Sequence, residues 1–324
     1  MPTLFSPAKV NLTLHILGTR PDGYHALDSV VVPLGFGDDV TLARGDAGRT
    51  TLEMVSGGAE LGAIPADPER NLAVRAVRLL EREAGRPLPT AIRIVKRIPL
   101  GGGLGGGSSN AATVLRGAAR LWDLSLSTER LCELGAELGS DVPLFVLDGT
   151  VRMRGRGERV ERWPMAGAQP LWLVLANDGT HCPTPAVYGE FDRMAGAKNL
   201  TDGAKLCDTL RSSLLKGEPA RVAEGLQNDL APPCFGLFPS VARTAEALQA
   251  AGCAGVTLCG SGATVFGLAA SREAGERALR HPALAGCWRA CVQTLPDGVM
   301  AAHGPLTPIV MVRIHVGQPT APGV

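Results

Sequence analysis

Hydrophobic and polar side chains alternate along the first predicted strand. From Ser6 to Leu17, apolar residues occupy every second position, and polar residues, among them Lys9 and Asn11, fall between them. A period of two places the two sets on opposite faces of a sheet. The pattern therefore predicts a strand that carries Lys9 and Asn11 side by side, as an ordinary half-exposed strand would also do.

Helical and strand periods follow each other through the first half of the chain. A helix is predicted after Asn71, which is a candidate for a plain N-cap, and a strand is predicted over residues 91–98. Lys96 breaks the apolar face of that strand, and the simplest expectation is that its ammonium reaches solvent. A later helix begins at the Ser127 cap and ends near Gly139.

The order of predicted elements changes in the second half. The apolar run Leu171–Ala176 predicts a buried strand, and several helices then lead to two short strands joined by Gly260-Ser261-Gly262. As a sequence pattern, that tripeptide is a hairpin turn. With one more helix and strand, this order indicates a split β-α-β, ferredoxin-like domain, and the predicted class is α+β.

Length and composition set the domain organisation. A chain of 324 residues is long enough for two domains, which we place at residues 1–155 and 156–300. The tail, residues 301–324, contains several prolines and no capped helix, and we expect little order there.

Charge and cysteine content exclude several classes of protein. A formal net charge of +1 does not indicate the basic surface that binding to nucleic acid or to an acidic membrane requires. The sequence has no apolar run of about 18 residues and no pattern of a signal peptide at its start. Eight cysteines without a C-x-x-C pair are typical of reduced thiols, which predicts a cytoplasmic protein. Separately, we expect a monomer or a weak homodimer.

The most unusual stretch has six glycines in the seven positions from Gly101 to Gly107. Glycine loses more backbone freedom on ordering than any other residue, so this run needs a compensating role. An apolar strand precedes it, and Ser108-Ser109-Asn110 follows as the predicted cap of an alanine-rich helix. The backbone N–H groups of a bare loop and of a helix N-terminus then converge, which predicts an anion site, most often for phosphate.

Three other interpretations of the glycines are available. A Walker P-loop requires lysine after its last glycine, and Ser108 follows Gly107 instead. Gly101, Gly103 and Gly106 match G-x-G-x-x-G, which is typical of dinucleotide-dependent oxidoreductases. This function ranks second because the acidic residue expected about 20 positions later, at the end of a second strand, is missing. A flexible linker is disfavoured by the flanking strand and helix.

The whole string Pro99-Leu-Gly-Gly-Gly-Leu-Gly-Gly-Gly-Ser-Ser-Asn-Ala-Ala resembles the phosphate-binding motif of the GHMP kinase superfamily, named for galactokinase, homoserine kinase, mevalonate kinase and phosphomevalonate kinase. Further segments resemble it, so that the likeness extends from about residue 6 to residue 267: 6–14, 20–30, 71–80, 139–145 and 260–262. The resemblance implies an N-terminal domain like domain 2 of ribosomal protein S5, a C-terminal ferredoxin-like domain, and ATP-dependent phosphorylation of an alcohol.

The resemblance also implies a nucleotide site. Its backbone donors and neighbours would be Asn71, Lys96, Pro99, Gly101, Gly102, Gly103, Leu104, Gly105, Gly106, Gly107, Ser108 and Ser109. Mg²⁺ is expected with ATP, held largely by phosphate and water, with Ser108 as a candidate protein contact. The turn Gly260-Ser261-Gly262 would close over the phosphates.

The N-terminal segments resemble most a branch of the superfamily whose acceptor is the tertiary alcohol of methylerythritol linked to cytidine diphosphate. By this resemblance Asp141 takes the alcohol proton and Lys9 approaches the transferring phosphoryl group. From the sequence alone, Asp141 before a proline is equally well a helix cap. The resemblance places four more side chains on the acceptor: Asn11 at the alcohol, Tyr24 and Tyr188 on the two faces of cytosine, and His25 at its edge.

Some positions depart from that pattern or allow another role. Cys259 stands where the superfamily usually has a hydroxyl residue, which puts one phosphate hydrogen bond in doubt, and Ser140 replaces a common alanine. Tyr188 is also interpretable as a core aromatic residue. A ligand sensor that keeps the kinase fold is a third interpretation of the whole chain, but the presence of both Lys9 and Asp141 argues against it.

Overall fold

The computed structural model describes residues 3–45, 48–58, 67–195, 203–299 and 314–316. The strands are β1 (Thr3–Thr19), β2 (His25–Arg44), β3 (Thr51–Ser56), β4 (Thr90–Lys96), β5 (Val151–Gly155), β6 (Arg159–Arg162), β7 (Trp172–Asn177), β8 (Gln227–Asn228), β9 (Ala254–Leu258), β10 (Val265–Ala269), β11 (Trp288–Gln293) and β12 (Ile314–Val316). The helices are α1 (Leu72–Ala84), α2 (Gly106–Leu121), α3 (Thr128–Leu138), α4 (Val142–Leu147), α5 (Thr184–Ala195), α6 (Gly203–Lys216), α7 (Pro219–Gly225), α8 (Ala231–Leu237), α9 (Pro239–Ala250) and α10 (Arg272–Ala278).

The first sheet is built around the long strands β1 and β2. Its strand order is β3-β4-β2-β1-β8, and the β5–β6 hairpin joins β2. On the same edge of β2, its first half pairs with β5 and its last residues pair with β4. The long strand β2 therefore joins the β5–β6 hairpin and the β3–β4 pair into one sheet. Helices α1 and α2 pack on this sheet and bury a shared apolar core with it.

Strand β1 is not the half-exposed strand that its alternation also allowed. It lies between β2 and β8, and its polar side chains are covered as fully as its apolar ones. Lys9 and Asn11 expose 4% and 5% of their surface. Both faces of β1 are therefore internal, and its apolar residues pack in the same clusters as apolar residues of the second half of the chain.

The second sheet confirms the ferredoxin-like prediction. Its strands run antiparallel in the order β12-β11-β7-β10-β9. If the four strands other than β12 are numbered 1 to 4 along the chain, from β7 to β11, their order in the sheet is 4-1-3-2. Two interleaved split β-α-β units produce this order. Among the described residues, no helix combines the length and the apolar character that crossing a bilayer requires.

The predicted domain boundary near residue 155 stays a prediction. The chain passes between the two sheets more than once, because β6 follows that boundary and extends the first sheet, and the much later β8 pairs with β1. Most of the tail, residues 301–324, lies outside the described residues. Within it Ile314–Val316 forms β12, antiparallel to β11, where the sequence predicted no paired strand.

A buried polar network lies under the first sheet where β2, β4 and α2 meet. The Asp38 carboxylate accepts hydrogen bonds from the backbone N–H groups of Arg97 (2.7 Å) and Ile98 (3.0 Å). It also pairs with the Lys96 ammonium and accepts from the Asn110 amide at 2.9 Å. All the ionisable and amide side chains of this network are almost fully buried.

This network corrects the expectation that Lys96 reaches solvent. Its side chain exposes 1% of its surface and points to the same face as Ile92 and Ile94, so that face of β4 is buried without interruption. Burial of an ammonium is tolerated because Asp38 neutralises it and the Asn110 carbonyl oxygen accepts a second hydrogen bond at 3.2 Å.

We predict that Asp38→Asn lowers the free energy of unfolding by about 3–5 kcal/mol, because it leaves the buried Lys96 charge without its partner. The matched control is Asp39→Asn. Its carboxylate pairs with Arg97 at a partly exposed position, and its loss should lower the free energy by about 1 kcal/mol or less. Urea unfolding followed by circular dichroism measures both. Equal losses in the two variants would contradict the prediction.

Candidate active site

A cavity of about 420 Å³ opens where the glycine-rich loop, β1 and the β9–β10 turn meet. This volume lies within the usual range of small-ligand sites. Most of the predicted site residues line it: Lys9, Asn11, Lys96, Pro99, Gly101, Gly102, Gly103, Leu104, Gly105, Gly106, Gly107, Ser108, Asp141, Tyr188, Gly260 and Ser261.

The glycines of the loop are required by its backbone conformation. Gly101, Gly103 and Gly105 have φ values of +68°, +77° and +74°, which L side chains rarely adopt. At Gly103 there is also no room, because a Cβ atom would lie 2.2 Å from the carbonyl oxygen of Cys259. The loop therefore runs closely over the second half of the chain, and its own bare backbone faces the cavity.

Helix α2 begins earlier than predicted. Its N-cap is Gly105, and no side chain caps it, so the prediction that Ser108 to Asn110 form the cap was wrong. The physical reason is that the side chains of Ser109 and Asn110 turn inward to Ser6, at 2.8 and 2.9 Å. The first amides of α2, next to the cavity-lining Gly106 and Gly107, thus carry the positive end of the helix dipole without a side-chain anion.

Lys9 is held by a chain of hydrogen bonds across β1 and β2. Its Nζ donates to the Asn11 carbonyl oxygen at 2.8 Å, and the Asn11 amide donates to the Ser29 hydroxyl at 2.9 Å. The backbone N–H of Lys9 donates to the carbonyl oxygen of Leu104 in the glycine loop at 3.1 Å. The structure thus fixes a buried ammonium at the cavity wall, under the loop.

Asp141 occupies the N-cap position of α4, but its carboxylate accepts no capping hydrogen bond. The capping interpretation therefore does not account for its side chain, which lines the cavity together with Lys9. Burial, with a smaller contribution from the negative charge of Asp141, raises the pKa of Tyr188 to about 12. Tyr188 is accordingly a neutral hydrogen-bonding phenol near this carboxylate at physiological pH.

The predicted cytosine-binding side chains lie only partly together. The rings of His25 and Tyr188 are in contact but tilted by 34°, with centroids 5.0 Å apart, and His25 Nε2 lies 2.7 Å from Asp192 Oδ1. Tyr24 lies on the turn before β2 with 58% of its surface exposed and does not line the cavity. Its ring is covered by the guanidinium of Arg156, 5.3 Å from the ring centroid.

The β9–β10 turn is anchored from below. The Asn228 amide donates to the carbonyl oxygens of Leu258 and Gly260, both at 2.8 Å, and the Ser261 hydroxyl lies 2.8 Å from that of Thr184. Gly260 and Ser261 line the cavity, whereas Gly262 packs on the thiols of two buried cysteines. The turn therefore presents only its first two residues to a ligand.

Cys259, which departs from the superfamily pattern, does not face the cavity. Its thiol is fully buried and donates to the carbonyl oxygens of Gly103 at 3.3 Å and Lys9 at 3.5 Å. Burial raises the pKa of this thiol. It acts as a weak clamp between β1, the glycine loop and the turn, and a phosphate contact from this side chain is not part of the geometry.

Two predicted nucleotide contacts do not line the cavity, and a third lines it with its charge already paired. Asn71 caps α1 by accepting from the Ala73 N–H at 2.9 Å and does not line the cavity, although the next residue, Leu72, does. Ser109 is buried against Ser6 and does not line it either. Lys96 lies at the cavity wall, beneath Gly106, but its charge is already paired with Asp38.

Sequence reasoning missed several residues at this cavity. Thr184 and Arg156 line it, and Asn228 and Asp38 support its walls. The signal for Arg156 was weak, since it is one of several arginines around the predicted domain boundary. Asp38 gave a better signal, because a second acidic residue in an apolar strand requires a buried partner.

Comparisons with known proteins agree with this geometry. The family description "GHMP kinases N terminal domain" matches residues 71–149, and "GHMP kinases C terminal" matches residues 210–283. The 4-diphosphocytidyl-2-C-methyl-D-erythritol kinase of Symbiobacterium thermophilum is 40% identical over 85% of this chain and 93% of its own. The protein of the same name from Citrifermentans bemidjiense is 38% identical over 90% and 98%.

Solved structures show the same fold. A crystal structure of 4-(cytidine 5'-diphospho)-2C-methyl-D-erythritol kinase superposes with a TM-score of 0.72 at 32% identity, covering 90% of this chain and 98% of that one. Mevalonate kinase of L. major, with a TM-score of 0.67 at 19% identity over 92% and 97%, shares the fold alone. The chain therefore belongs to the GHMP kinase superfamily and, within it, to the family of the 4-diphosphocytidyl-2-C-methyl-D-erythritol kinases.

Proposed function

We propose that this chain transfers the terminal phosphoryl group of ATP to the 2-hydroxyl of 4-diphosphocytidyl-2-C-methyl-D-erythritol, giving the 2-phosphate and ADP in the non-mevalonate pathway to isoprenoid precursors. The observation that carries the proposal is that Lys9 and Asp141, 132 positions apart in the sequence, line one cavity with the bare glycine loop. The names of the relatives supply the acceptor.

The loop and α2 supply the phosphate site. Bare amides of the glycine loop and of the α2 N-terminus point partial positive charge at an anion, and no side chain competes for the helix end. Lys9 adds a full charge at the wall. Lys96 contributes less to a ligand, since Asp38 neutralises it, and we assign it to holding Gly106 in place.

The chemical step follows from the positions of two side chains. The alcohol oxygen forms a bond to the γ-phosphorus while the bond from that phosphorus to the ADP oxygen breaks, and the alcohol proton passes to the Asp141 carboxylate. Lys9 donates hydrogen bonds to the transferring oxygens and so stabilises their charge. Asn11 orients Lys9 through the 2.8 Å hydrogen bond and presents its amide beside the acceptor hydroxyl.

The cavity suits a metal ion that ATP itself brings. Among the described residues, no group of three or more His, Cys, Asp or Glu side chains could hold a metal, and Asp141 is the single carboxylate that lines the cavity. When bound with ATP, Mg²⁺ would neutralise phosphate charge, with the phosphates and water as most of its ligands. Ser108 is the hydroxyl at the helix start that could contact it.

Among the described residues, Tyr188 is the aromatic side chain that lines the cavity, and the ring of His25 packs against it. We propose that cytosine stacks on Tyr188, with His25 at its edge in an orientation fixed by Asp192. Tyr24, at the rim, would complete the stack from the other side. The Gly260-Ser261-Gly262 turn would meet the phosphates through its first two residues.

The relatives give no support to a dinucleotide oxidoreductase or a non-catalytic sensor. The eight cysteines are all free thiols, seven of them buried, as expected for a reducing compartment such as the cytoplasm. We infer a protein that works there as a monomer or weak homodimer on a small-molecule substrate.

The acceptor is tested by incubating the purified chain with Mg-ATP and pairs of alcohols that differ only in the cytidine diphosphate group. We expect ADP release with the 4-diphosphocytidyl alcohol and none with free methylerythritol or its 4-phosphate, because the aromatic end then has nothing to bind. A coupled assay for ADP measures the rate. Equal rates of ADP release with all three alcohols would overturn the proposed acceptor, and binding of NADH but not of ATP would overturn the kinase proposal.

Asp141→Asn tests the proton acceptor. The amide keeps the shape but does not accept the proton, so turnover should fall by about a hundredfold to ten-thousandfold while ATP affinity stays within a fewfold. Asp123→Asn, which alters an exposed carboxylate paired with Arg44, is the control and should keep full turnover. Steady-state kinetics with calorimetric ATP binding separates the two effects. An Asp141→Asn enzyme of normal turnover would remove this carboxylate from the mechanism.

A further inference from the structure

The ionic groups of the cavity are few and unevenly distributed. Among the described residues that line it, the cations are Lys9, Lys96 and Arg156, and the anion is Asp141. Lys96 is paired with Asp38, and Lys9 lies under the glycine loop with its ammonium on Asn11. Arg156 is therefore the cation whose charge is available at the acceptor end.

Arg156 stands on the short turn between β5 and β6, and this turn has a defined shape. The backbone N–H of Arg156 donates to the Glu158 carboxylate at 2.6 Å. Gly155 and Gly157 on either side have φ values of +74° and +110°, and Gly157 packs near the end of Met153, which also lines the cavity. The turn thus holds the base of the arginine at the cavity rim, beside Tyr24.

The guanidinium has little competition from protein anions. Within the described part of the chain, Arg156 forms no salt bridge, and its side-chain contact is the ring of Tyr24 at 5.3 Å. The nearby Asp22 carboxylate has a lowered pKa chiefly because Arg20 donates to it, with a smaller effect of the Arg156 charge. Against the effect of burial, backbone hydrogen bonds lower the pKa of Glu158, with smaller effects of the Arg20 and Arg156 charges. Among the described residues, neither carboxylate accepts a hydrogen bond from the Arg156 guanidinium, so its five N–H donors are available to a ligand.

The proposed acceptor carries a diphosphate between its two recognised ends. Its alcohol must reach Asp141, and its base must reach Tyr188 and His25, so the diphosphate lies along the wall between them. Arg156 lies on that side of the cavity, because its neighbour Gly157 packs near Ser140, which precedes Asp141, and its own guanidinium covers the ring of Tyr24. A diphosphate carries about two negative charges at neutral pH and is matched by the planar fork of a guanidinium.

We propose that Arg156 is a specificity-determining residue that binds the diphosphate of the acceptor, so that the enzyme distinguishes a nucleoside diphosphate ester from the bare nucleoside. This inference rests on the proposed function and deepens it. The arginine stays against Tyr24 and donates to the phosphate oxygens from there, which links recognition of the base to recognition of the charge. Arg156 takes no part in the transfer of the phosphoryl group.

Calorimetric titration tests the proposal without catalysis. Wild type, Arg156→Gln, Arg156→Lys and the control Arg159→Gln are titrated with cytidine and with CDP, while a non-hydrolysable ATP analogue fills the nucleotide site. The Arg159→Gln substitution removes one positive charge from the same hairpin, at a position that does not line the cavity. Thermal unfolding of each variant checks that the exposed substitution leaves the fold intact.

We expect CDP to bind wild type more tightly than cytidine does. Arg156→Gln should weaken CDP about ten- to a hundredfold and leave cytidine within about twofold, since a charge-assisted contact is lost and the base contacts remain. The CDP affinity of Arg156→Lys should lie between those of wild type and Arg156→Gln, because lysine keeps the positive charge but lacks the planar guanidinium. Arg159→Gln should match wild type, and KM for the acceptor should follow the CDP affinities with kcat and KM for ATP unchanged.

Other results would overturn the inference in distinguishable ways. If Arg156→Gln retains the preference for CDP over cytidine, the diphosphate is bound elsewhere, and the proposed function stands. If cytidine and CDP weaken equally, Arg156 acts by holding Tyr24 and not by binding phosphate. If wild type binds neither compound, the proposed acceptor itself is wrong, and the inference fails with it.

Discussion

The Asp38 carboxylate is the contact on which the glycine loop depends. It accepts from the backbone of Arg97 and Ile98, where β4 leaves the sheet toward the loop, and from Asn110, where α2 leaves the loop. One buried side chain therefore fixes both ends of a segment whose glycines could not order themselves. A phosphate site made of main-chain amides needs such support, because the amides bind well only if they already point in one direction.

The other side of the loop is set by the second half of the chain. Gly103 touches the backbone of Cys259, the Cys259 thiol donates to Gly103 and Lys9, and Asn228 secures the turn that follows. The position of Lys9 and the shape of the loop are thus determined by the same contacts. The cation and the amides that would share a phosphate group form one packed unit, although they come from three parts of the sequence.

The sequence was sufficient for much of the fold and for the prediction that Lys9 and Asp141 lie at one cavity. Alternation and caps located the strands before and after the glycines and the helix capped by Asn71, and family motifs led to Lys9 and Asp141. What failed were judgements that depend on distant partners. The burial of Lys96 requires Asp38 from another strand, and that of β1 requires β8, which lies more than 200 residues later.

Local rules failed where side chains had competing partners. Ser108 to Asn110 have the composition of a helix cap, yet Ser109 and Asn110 bind Ser6, and the helix begins at Gly106. Arg156 could not be distinguished from the other arginines around it, because the role proposed for it depends on a hairpin whose fold brings it to Tyr24. Such choices are decided by tertiary contacts, which no window of sequence contains.

The uncapped start of α4 has a consequence for how this enzyme can be improved. A carboxylate at an N-cap normally stabilises its helix by about 1 kcal/mol, and Asp141 forgoes that contact to face the cavity. The side chain that we propose as the acceptor of the alcohol proton therefore adds no capping hydrogen bond to the stability of this helix. Selection for thermal stability alone would favour a residue at this position whose side chain caps α4. Laboratory evolution therefore has to select for turnover and thermal stability together.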